Sequence, residues 1–222
     1  MKKIVTFSMF IILSFMFSSC ATVQRVPISK DAEVKVKGKN CEISRYEKVD
    51  FHASTAAKAA LGPLFAIAAS TSAGNEIVAK NNIEDPAHYI SQEIAGILKE
   101  RFDANFLPPS AEASKVNDLD TLCRIYNKGD YILDVRTTFW GFAYYPLAWT
   151  KYKILYGAHL RIIETKTKAV LAEDLYFRQD DDSSKAPTYD DLVNNNAEGL
   201  KKELRKSADE AISFFKKNTL TR

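Results

Sequence analysis

The chain has 222 residues, of which 46% are hydrophobic and 11% aromatic, a composition typical of a folded globular protein rather than a disordered tether. Its 31 Lys and Arg residues nearly balance its 28 Asp and Glu residues, and no basic tail or stripe is present. These features argue against a nucleic-acid-binding protein and leave room for one domain with a substantial hydrophobic core.

The N-terminus has the organisation of an export signal. Lys2 and Lys3 precede an apolar stretch over 4–17, which is shorter than the about 20 residues that a membrane-spanning helix needs. The stretch ends in Phe17-Ser18-Ser19-Cys20. This motif resembles the lipobox of bacterial lipoproteins, although Phe17 stands where that family usually has Leu. The resemblance implies a signal peptide over 1–19 and a lipid on Cys20.

Lipidation of Cys20 would make the protein a resident of the bacterial cell envelope. The resemblance implies three acyl chains, which would form a stable membrane anchor and would be the only cofactor. Ala21 follows the Cys, and the lack of Asp there resembles the sorting pattern of outer-membrane lipoproteins that face the periplasm. We expect residues 20–31 to be a lipidated tether and residues 32–222 to be a single domain. The alternative is an ordinary signal peptide with Cys20 as a plain thiol.

The segment after the predicted tether alternates apolar and charged residues. Val34 and Val36 alternate with charged neighbours over 32–36, and a turn at Gly38-Lys39-Asn40 leads to a second candidate strand from Cys41 to Val49. A period of two is typical of strands, so we expect an N-terminal strand or hairpin here.

An Ala-rich segment over 53–80 favours helix, and Gly62-Pro63 should break it. The apolar run from Leu64 to Ala69 allows two interpretations: a hairpin that contacts a membrane or a partner, or a helix buried against the sheet. We favour the buried helix, because the run is too short to span a bilayer.

Three further helices are predicted downstream. Asp85-Pro86 combines an N-cap with a favourable first helical residue and opens a helix that ends before Leu107. The other two are predicted over 111–126 and from the capping box of Thr188 and Asp191 to about residue 217.

Between these helices the pattern changes to that of strands. Alternating residues predict long strands over 131–142, 152–163 and 169–177, the last two joined by a polar turn at 164–168. Strands with short connections should form an antiparallel meander. We therefore expect an α/β domain in which an antiparallel sheet of about three long strands, with an added N-terminal strand or hairpin, packs against several helices.

Two cysteines remain if Cys20 carries lipid. In an oxidising periplasm, Cys41 and Cys123 could form a disulfide that closes a long loop. The alternative is a pair of buried, unpaired cysteines. Neither has a second Cys or a His at ligand spacing, so no metal site is predicted.

Aromatic residues are concentrated around Pro146. Because alternation places only half of a strand's side chains on one face, we expect Phe139 in the core and the tip residues exposed for contact with a partner or a membrane. The predicted contact residues are Phe142, Tyr144, Tyr145 and Trp149. The alternative is that helices cover both faces and bury the whole cluster.

The sequence lacks familiar catalytic motifs. His52, His88 and His159 are isolated, and the chain contains no Gly-x-Ser-x-Gly, no dinucleotide-binding glycine turn and no phosphate-binding loop. The run over 180–182 lacks the alternating ligands and the Gly of a calcium loop, so we interpret it as a solvated loop. The sequence therefore favours a protein that is not an enzyme.

The segment from Asp134 through Trp140-Gly141 to Val170-Leu171 resembles the antiparallel core of small envelope lipoproteins. These are lipoproteins of the curli-secretion and penicillin-binding-protein-activator type, with domains similar to the N-terminal domain of the TolB translocation protein. The resemblance implies an α/β sandwich and an adapter or assembly role with an envelope protein partner. Two other hypotheses stay open: a membrane-tethered periplasmic hydrolase, and an oligomeric secretion-pore subunit that would use the run from Leu64 to Ala69.

Overall fold

A computed structural model describes residues 25–60, 62–178, 180 and 182–220. The helices of these residues are α1 (Lys30–Val36), α2 (Ala56–Ala59), α3 (Pro63–Lys80), α4 (Pro86–Phe102), α5 (Leu119–Ile125) and α6 (Tyr189–Asn218). The strands are β1 (Asn40–Ile43), β2 (Phe51–Ser54), β3 (Asn105–Phe106), β4 (Tyr131–Tyr145), β5 (Ala148–Glu164) and β6 (Ala169–Phe177). The predicted signal peptide and Cys20 lie outside the described residues.

The strands form one open, mixed sheet in the order β3-β1-β4-β5-β6, with β2 also paired to β4. The long strands β4, β5 and β6 are antiparallel, which confirms the predicted meander. The short strands β1 and β2 both pair in parallel with β4, β1 near its start at Tyr131 and β2 further along at Trp140. β2 therefore runs in the same direction as β4, towards the β4–β5 hairpin turn.

Helices cover the two faces of the sheet unequally. On the first face, which carries Leu133 and Ile162, α4 and α6 enclose the main hydrophobic core. On the second face, which carries Ile132 and Ile163, α5 covers a smaller cluster with Leu122. The described residues thus form a single α/β domain in which an antiparallel meander packs against helices, as the sequence predicts.

The N-terminal strand predicted over 32–36 is wrong, because these residues belong to α1. The Ser29 hydroxyl accepts a hydrogen bond from the Ala32 N–H at 3.1 Å and caps the helix. Ala32 and Val36 are buried while Val34 is 76% exposed. A spacing of four between buried residues fits the 3.6-residue period of a helix as well as the two-residue period of a strand. In so short a segment the sequence pattern is compatible with both, and packing selects the helix.

Residues that we expected in the tether are held on the domain. Val26 and Glu173 exchange two backbone hydrogen bonds of 2.8 Å, so residue 26 pairs with the outer edge of β6. The Ile28 side chain is fully buried, and its N–H donates to the Thr219 carbonyl at 2.8 Å. The folded part of the chain therefore begins before residue 32.

The Ala-rich segment forms α2 and α3, with the break at Gly62 as predicted. α3 packs closely against β2, since a Cβ on Gly74 would lie 1.9 Å from the Phe51 carbonyl oxygen. Phe65 and Ile67, in the first half of α3, are nevertheless mostly exposed. The buried interpretation therefore holds only for the second half of this helix. In the part of the chain that the structure describes, no helix is both long and apolar enough to cross a bilayer.

The last helix confirms its predicted start. The Thr188 and Asp191 side chains each accept a hydrogen bond from the other residue's backbone N–H, which completes the capping box. Non-helical backbone interrupts α6 at 194–197, where Asn195, Asn196 and Ala197 have positive φ. The predicted helix over 111–126 is shorter than expected, because only α5 is helical there.

Candidate functional site

The predicted contact residues at the hairpin separate into buried and exposed sets. Phe142 is fully buried, where its ring contacts Phe51 and Tyr152 edge to face, so its predicted exposure is wrong. Tyr145 is also buried, and its hydroxyl donates to the Asp180 carbonyl at 3.0 Å. Tyr144 is half-buried. Trp149 alone of the four is largely exposed, at 68%.

A β-bulge explains why Phe139 and Phe142 exchange their predicted places. The pairing of β4 with β5 shifts at Thr138, because Thr137 lies opposite Ala158 whereas Phe139 lies opposite Gly157. One extra residue reverses which side chains face the core. Phe139 consequently lies on the exposed second face, not in the core.

The hairpin turn itself carries an exposed residue that the sequence analysis missed. Tyr145 pairs with Ala148 across a two-residue turn, and Leu147 in that turn is fully exposed. The Trp149 indole N–H donates to the Pro146 carbonyl at 2.5 Å, which fixes the ring beside the turn. The sequence feature that could have predicted this exposed residue is the Pro146-Leu147 pair at the centre of the aromatic cluster.

Exposed apolar side chains lie on three elements between the middle of β4 and the hairpin turn. Because α3 lies antiparallel to β2, with Ser70 beside Ser54, its first half lies towards the hairpin turn. We define the hairpin end by five exposed residues on α3, β4 and the turn: Phe65, Ile67, Phe139, Leu147 and Trp149.

A groove of about 360 Å³ lies within the hairpin end. Ile67 of α3 and Phe139 of β4 line it, and the His52 ring stacks on Phe139 with a centroid distance of 5.0 Å and an angle of 8°. The Thr71 hydroxyl lies 3.1 Å from His52 Nδ1 and holds the ring in place. The groove therefore offers an apolar floor with a few hydroxyl groups at its margin, from Ser54, Thr55 and Ser70.

A buried polar cluster lies on the second face near α5. The Asp134 carboxylate accepts hydrogen bonds from the Ser44 hydroxyl at 2.7 Å and the Tyr46 hydroxyl at 2.6 Å, and it pairs with Arg161 at 2.7 Å. Burial and the nearby Asp134 raise the pKa of Tyr46, so this phenol stays protonated and donates. These contacts satisfy the carboxylate and hold the cluster as a structural unit.

The three histidines have separate environments. His52 contacts the Thr71 hydroxyl, His88 the Gln92 amide, and His159 the Glu173 carboxylate at 2.8 Å. Burial lowers the pKa of His159 below its ordinary value. Across the described ranges, no histidine joins a carboxylate to a nucleophilic hydroxyl or thiol as a hydrolytic triad would.

A small polar cavity of about 130 Å³ lies where β4 is left unpaired between β1 and β2. Asp85, His88 and Arg136 are among its lining residues. The Asp85 carboxylate caps α4 by accepting from the Ala87 N–H at 2.9 Å and also accepts from the Thr137 hydroxyl. Desolvation raises the pKa of Asp85 above its ordinary value despite these hydrogen bonds.

The two cysteines that could pair are free thiols in this structure. Cys41 belongs to the main core and Cys123 to the cluster under α5, so they lie in separate hydrophobic clusters. Burial, followed by the nearby Asp130, raises the pKa of Cys41 to about 12. This arrangement corresponds to the unpaired alternative. Within the described ranges, no three His, Cys, Asp or Glu side chains are grouped to hold a metal ion.

Comparison with known proteins gives distant structural likenesses. No family model matches the chain, and no curated protein matches it in sequence. A DUF330-family protein from Xanthomonas campestris is 10% identical, with 87% of this chain and 90% of that chain covered and a TM-score of 0.37. A neuraminyllactose-binding hemagglutinin homolog from Helicobacter pylori is also 10% identical, with 82% and 87% covered and a TM-score of 0.32. At such TM-scores, neither a shared fold nor a shared function follows.

Proposed function

We propose that this protein is a lipid-anchored adapter of the bacterial envelope that binds a protein partner, without catalysis, through the hairpin end. The exposed hairpin turn is the observation that carries the proposal. Leu147 lies in the two-residue turn and Trp149 lies beside it at the start of β5, and neither is used in the core. Burying such side chains against a partner would gain about 25 cal/mol for each Å² of apolar surface removed from water.

The neighbouring groove supports the same role. Ile67 and Phe139 are exposed on different elements yet line one cavity, so a partner seated in it would contact α3 and β4 together. Contiguous exposed apolar surface bordered by polar groups is typical of interaction sites. Tryptophan is also among the residues that contribute most binding energy at protein interfaces.

The anchor is supported by the residues before the domain. Lys2 and Lys3, the apolar stretch over 4–17 and the small residues before Cys20 follow the order of a lipoprotein signal. Lipidation of Cys20 and an outer-membrane location facing the periplasm are parts of the proposal. The satisfied polar cluster around Asp134 favours binding over catalysis, since its groups are committed to one another.

The anchor can be tested by metabolic labelling. Cells that produce the full chain would be grown with an alkyne analogue of palmitate, and incorporation would be read on a gel. We expect label in the wild type and in Cys41→Ser, and none in Cys20→Ser. Label that persists in Cys20→Ser would overturn the lipidation site.

Partner binding can be tested by substitution at the turn. The double variant Leu147→Ser/Trp149→Ser should lose proteins that co-purify with the wild type after cross-linking in intact cells. The matched control is Val34→Ser, which removes an apolar side chain of similar exposure from α1. All variants should unfold at the wild-type urea midpoint. A co-purified set that is the same in the double variant and the wild type would contradict the role of the hairpin end.

A further inference from the structure

The point at which the chain joins the domain is fixed on one side of the molecule. Arg25 Nε lies 3.0 Å from the Asp174 carboxylate, and residue 26 pairs with Glu173 on the outer edge of β6. The Arg25 guanidinium also lies 5.9 Å from the centre of the Phe214 ring of α6. The segment that leads towards Cys20 therefore starts from the side where β6 and α6 meet.

Chain length then limits the distance between that side and the proposed lipid. Arg25 is the fifth residue after Cys20, and a fully extended chain advances by at most about 3.6 Å per residue. The lipidated residue must therefore lie within about 18 Å of Arg25, close to the headgroup layer of the bilayer.

The direction of the chain leads to one part of this side. Residue 26 pairs antiparallel with Glu173, and Arg25 lies beside Asp174, so moving back along the chain corresponds to moving forward along β6. Phe177 lies three residues beyond Asp174 on β6, a rise of about 10 Å along a strand. Phe177 and Cys20 therefore both lie within about 18 Å of the position of Arg25.

The surface at this place has aromatic and basic side chains. An open groove of about 910 Å³ runs between β6 and α6, and we define the β6–α6 edge by five of its lining residues: Leu175, Phe177, Lys206, Phe214 and Lys217. Asp209 and Glu210 also line the groove, and the Glu210 carboxylate lies 4.0 Å from the Lys206 amine. Phe177 is 54% exposed at the end of β6, and its ring lies over Gly157 of β5, where a Cβ would be 2.7 Å from the ring. Aromatic rings beside lysines suit the interface of a bilayer, where rings enter the headgroup layer and amines remain hydrated.

We infer that the β6–α6 edge faces the bilayer and contacts its surface, with Phe177 as the deepest side chain. This inference rests on the proposed anchor at Cys20. It also concerns the hairpin turn, but not Phe139, which pairs with Gly157 and so lies in the same row of the sheet as Phe177. Leu147 is ten residues from Gly157, the residue opposite Phe177, which corresponds to about 33 Å along β5. The inference includes that β5 runs away from the bilayer surface, so that the hairpin turn stays free of lipid for a protein partner.

Site-specific fluorescence tests this orientation. The full-length lipidated chain would be reconstituted into phosphatidylcholine vesicles as Phe177→Cys or, for the matched control, Leu147→Cys, each labelled with NBD. Cys41 and Cys123 are buried, so the introduced thiol is the reactive one, and unsubstituted protein reports background labelling. Lipids with a quencher on their acyl chains then measure the proximity of each probe to the membrane.

The expected result is a blue-shifted NBD emission at position 177 that the quencher reduces several-fold, with little change at position 147. A probe at position 177 that stays in water, or equal quenching at both positions, would overturn the inference. Palmitate labelling of the wild type and its flotation with vesicles distinguish a failure of the lipid anchor from a failure of the proposed orientation. If the wild type is labelled and floats but position 177 is not quenched, only the orientation fails. If it is neither labelled nor floats, the anchor fails and the orientation fails with it.

Discussion

Asp134 and Arg161 lie opposite each other on β4 and β5 and form a buried ion pair of 2.7 Å on the second face of the sheet. Asp134 is fully buried, and Ser44 and Tyr46 donate to its other oxygen. Although burial disfavours its charge, Arg161 has a raised pKa because of this carboxylate, so the pair is ionised. Through these contacts, the Asp134–Arg161 pair holds the segment after β1, which carries Ser44 and Tyr46, against strands β4 and β5 of the meander.

Loss of the carboxylate charge should destabilise the fold. Asp134→Asn leaves the buried Arg161 without a counter-ion, and breaking a buried pair in this way costs about 3–5 kcal/mol of unfolding free energy. Urea denaturation followed by circular dichroism measures the change. The control is Glu47→Gln, in the exposed pair of Glu47 with Lys115 at 3.4 Å, where we expect less than about 1 kcal/mol. Equal, small effects in both variants would contradict the structural role of the pair.

The two aspartate N-caps should respond to pH with opposite signs. Asp85 has a raised pKa in the folded state through desolvation, so its contribution to stability is greatest at low pH and falls as the pH rises through its folded pKa. Asp85→Asn keeps an acceptor for the Ala87 N–H and has no charge to desolvate. We therefore expect its stability relative to the wild type to be higher at pH 7 than at pH 4, as measured by urea denaturation.

Asp118 is the matched control for this titration. The Thr121 N–H lowers the pKa of this exposed cap of α5, so its contribution is present above the unfolded-state pKa and lost as the pH falls. Asp118→Asn should accordingly be less stable than the wild type at pH 7 and approach it in acid. If both variants show the same pH dependence, the assignment of opposite shifts is wrong.

Close packing of α3 on β2 predicts a strong effect at one glycine. In Gly74→Ala the new methyl would lie 1.9 Å from the Phe51 carbonyl oxygen, so α3 must move away from β2. Overpacking of this kind typically costs about 1–3 kcal/mol. Gly96→Ala on the exposed side of α4 meets no atom within 4 Å and should stabilise by up to about 1 kcal/mol. Thermal unfolding compares the two, and a neutral Gly74→Ala would contradict the observed packing.

Burial of both free cysteines predicts slow thiol chemistry. In the folded protein, Cys41 and Cys123 should react with a maleimide only after denaturation, because each is enclosed and the pKa of Cys41 is about 12. Mass spectrometry before and after addition of guanidinium counts the modified thiols. A faster-migrating band on non-reducing gels, present in the wild type and absent in Cys41→Ser, would instead show a disulfide.

The long elements could be predicted from the sequence because they repeat one period many times. β4, β5 and β6 alternate over nine residues or more, and α4 begins at the Asp85-Pro86 signal. Short elements were ambiguous. Over 32–36, two buried residues four apart fit a helix as well as the strand that we predicted, and only the Ser29 cap and packing against the core select the helix.

The candidate site could be located but not assigned residue by residue. The aromatic cluster around Pro146 marked the hairpin, yet a single bulge at Thr138 exchanged the exposure of Phe139 and Phe142. A bulge depends on how two strands pair, and one strand's sequence does not contain that information. The contributions of Ile67 and Phe65 arise from the docking of α3 beside β2, which is likewise a tertiary contact.

The central claim, a lipid-anchored chain that binds a protein through its hairpin end, is tested most directly by photo-cross-linking in living cells. A photoreactive amino acid would replace Trp149 at the hairpin end or, as the control, Val34 on α1, in otherwise wild-type and Cys20→Ser chains. We predict a discrete protein adduct from position 149 that is absent from position 34 and is reduced when Cys20 is replaced. Equal adducts from both positions, or none from position 149 while the chain is folded and lipidated, would contradict the account.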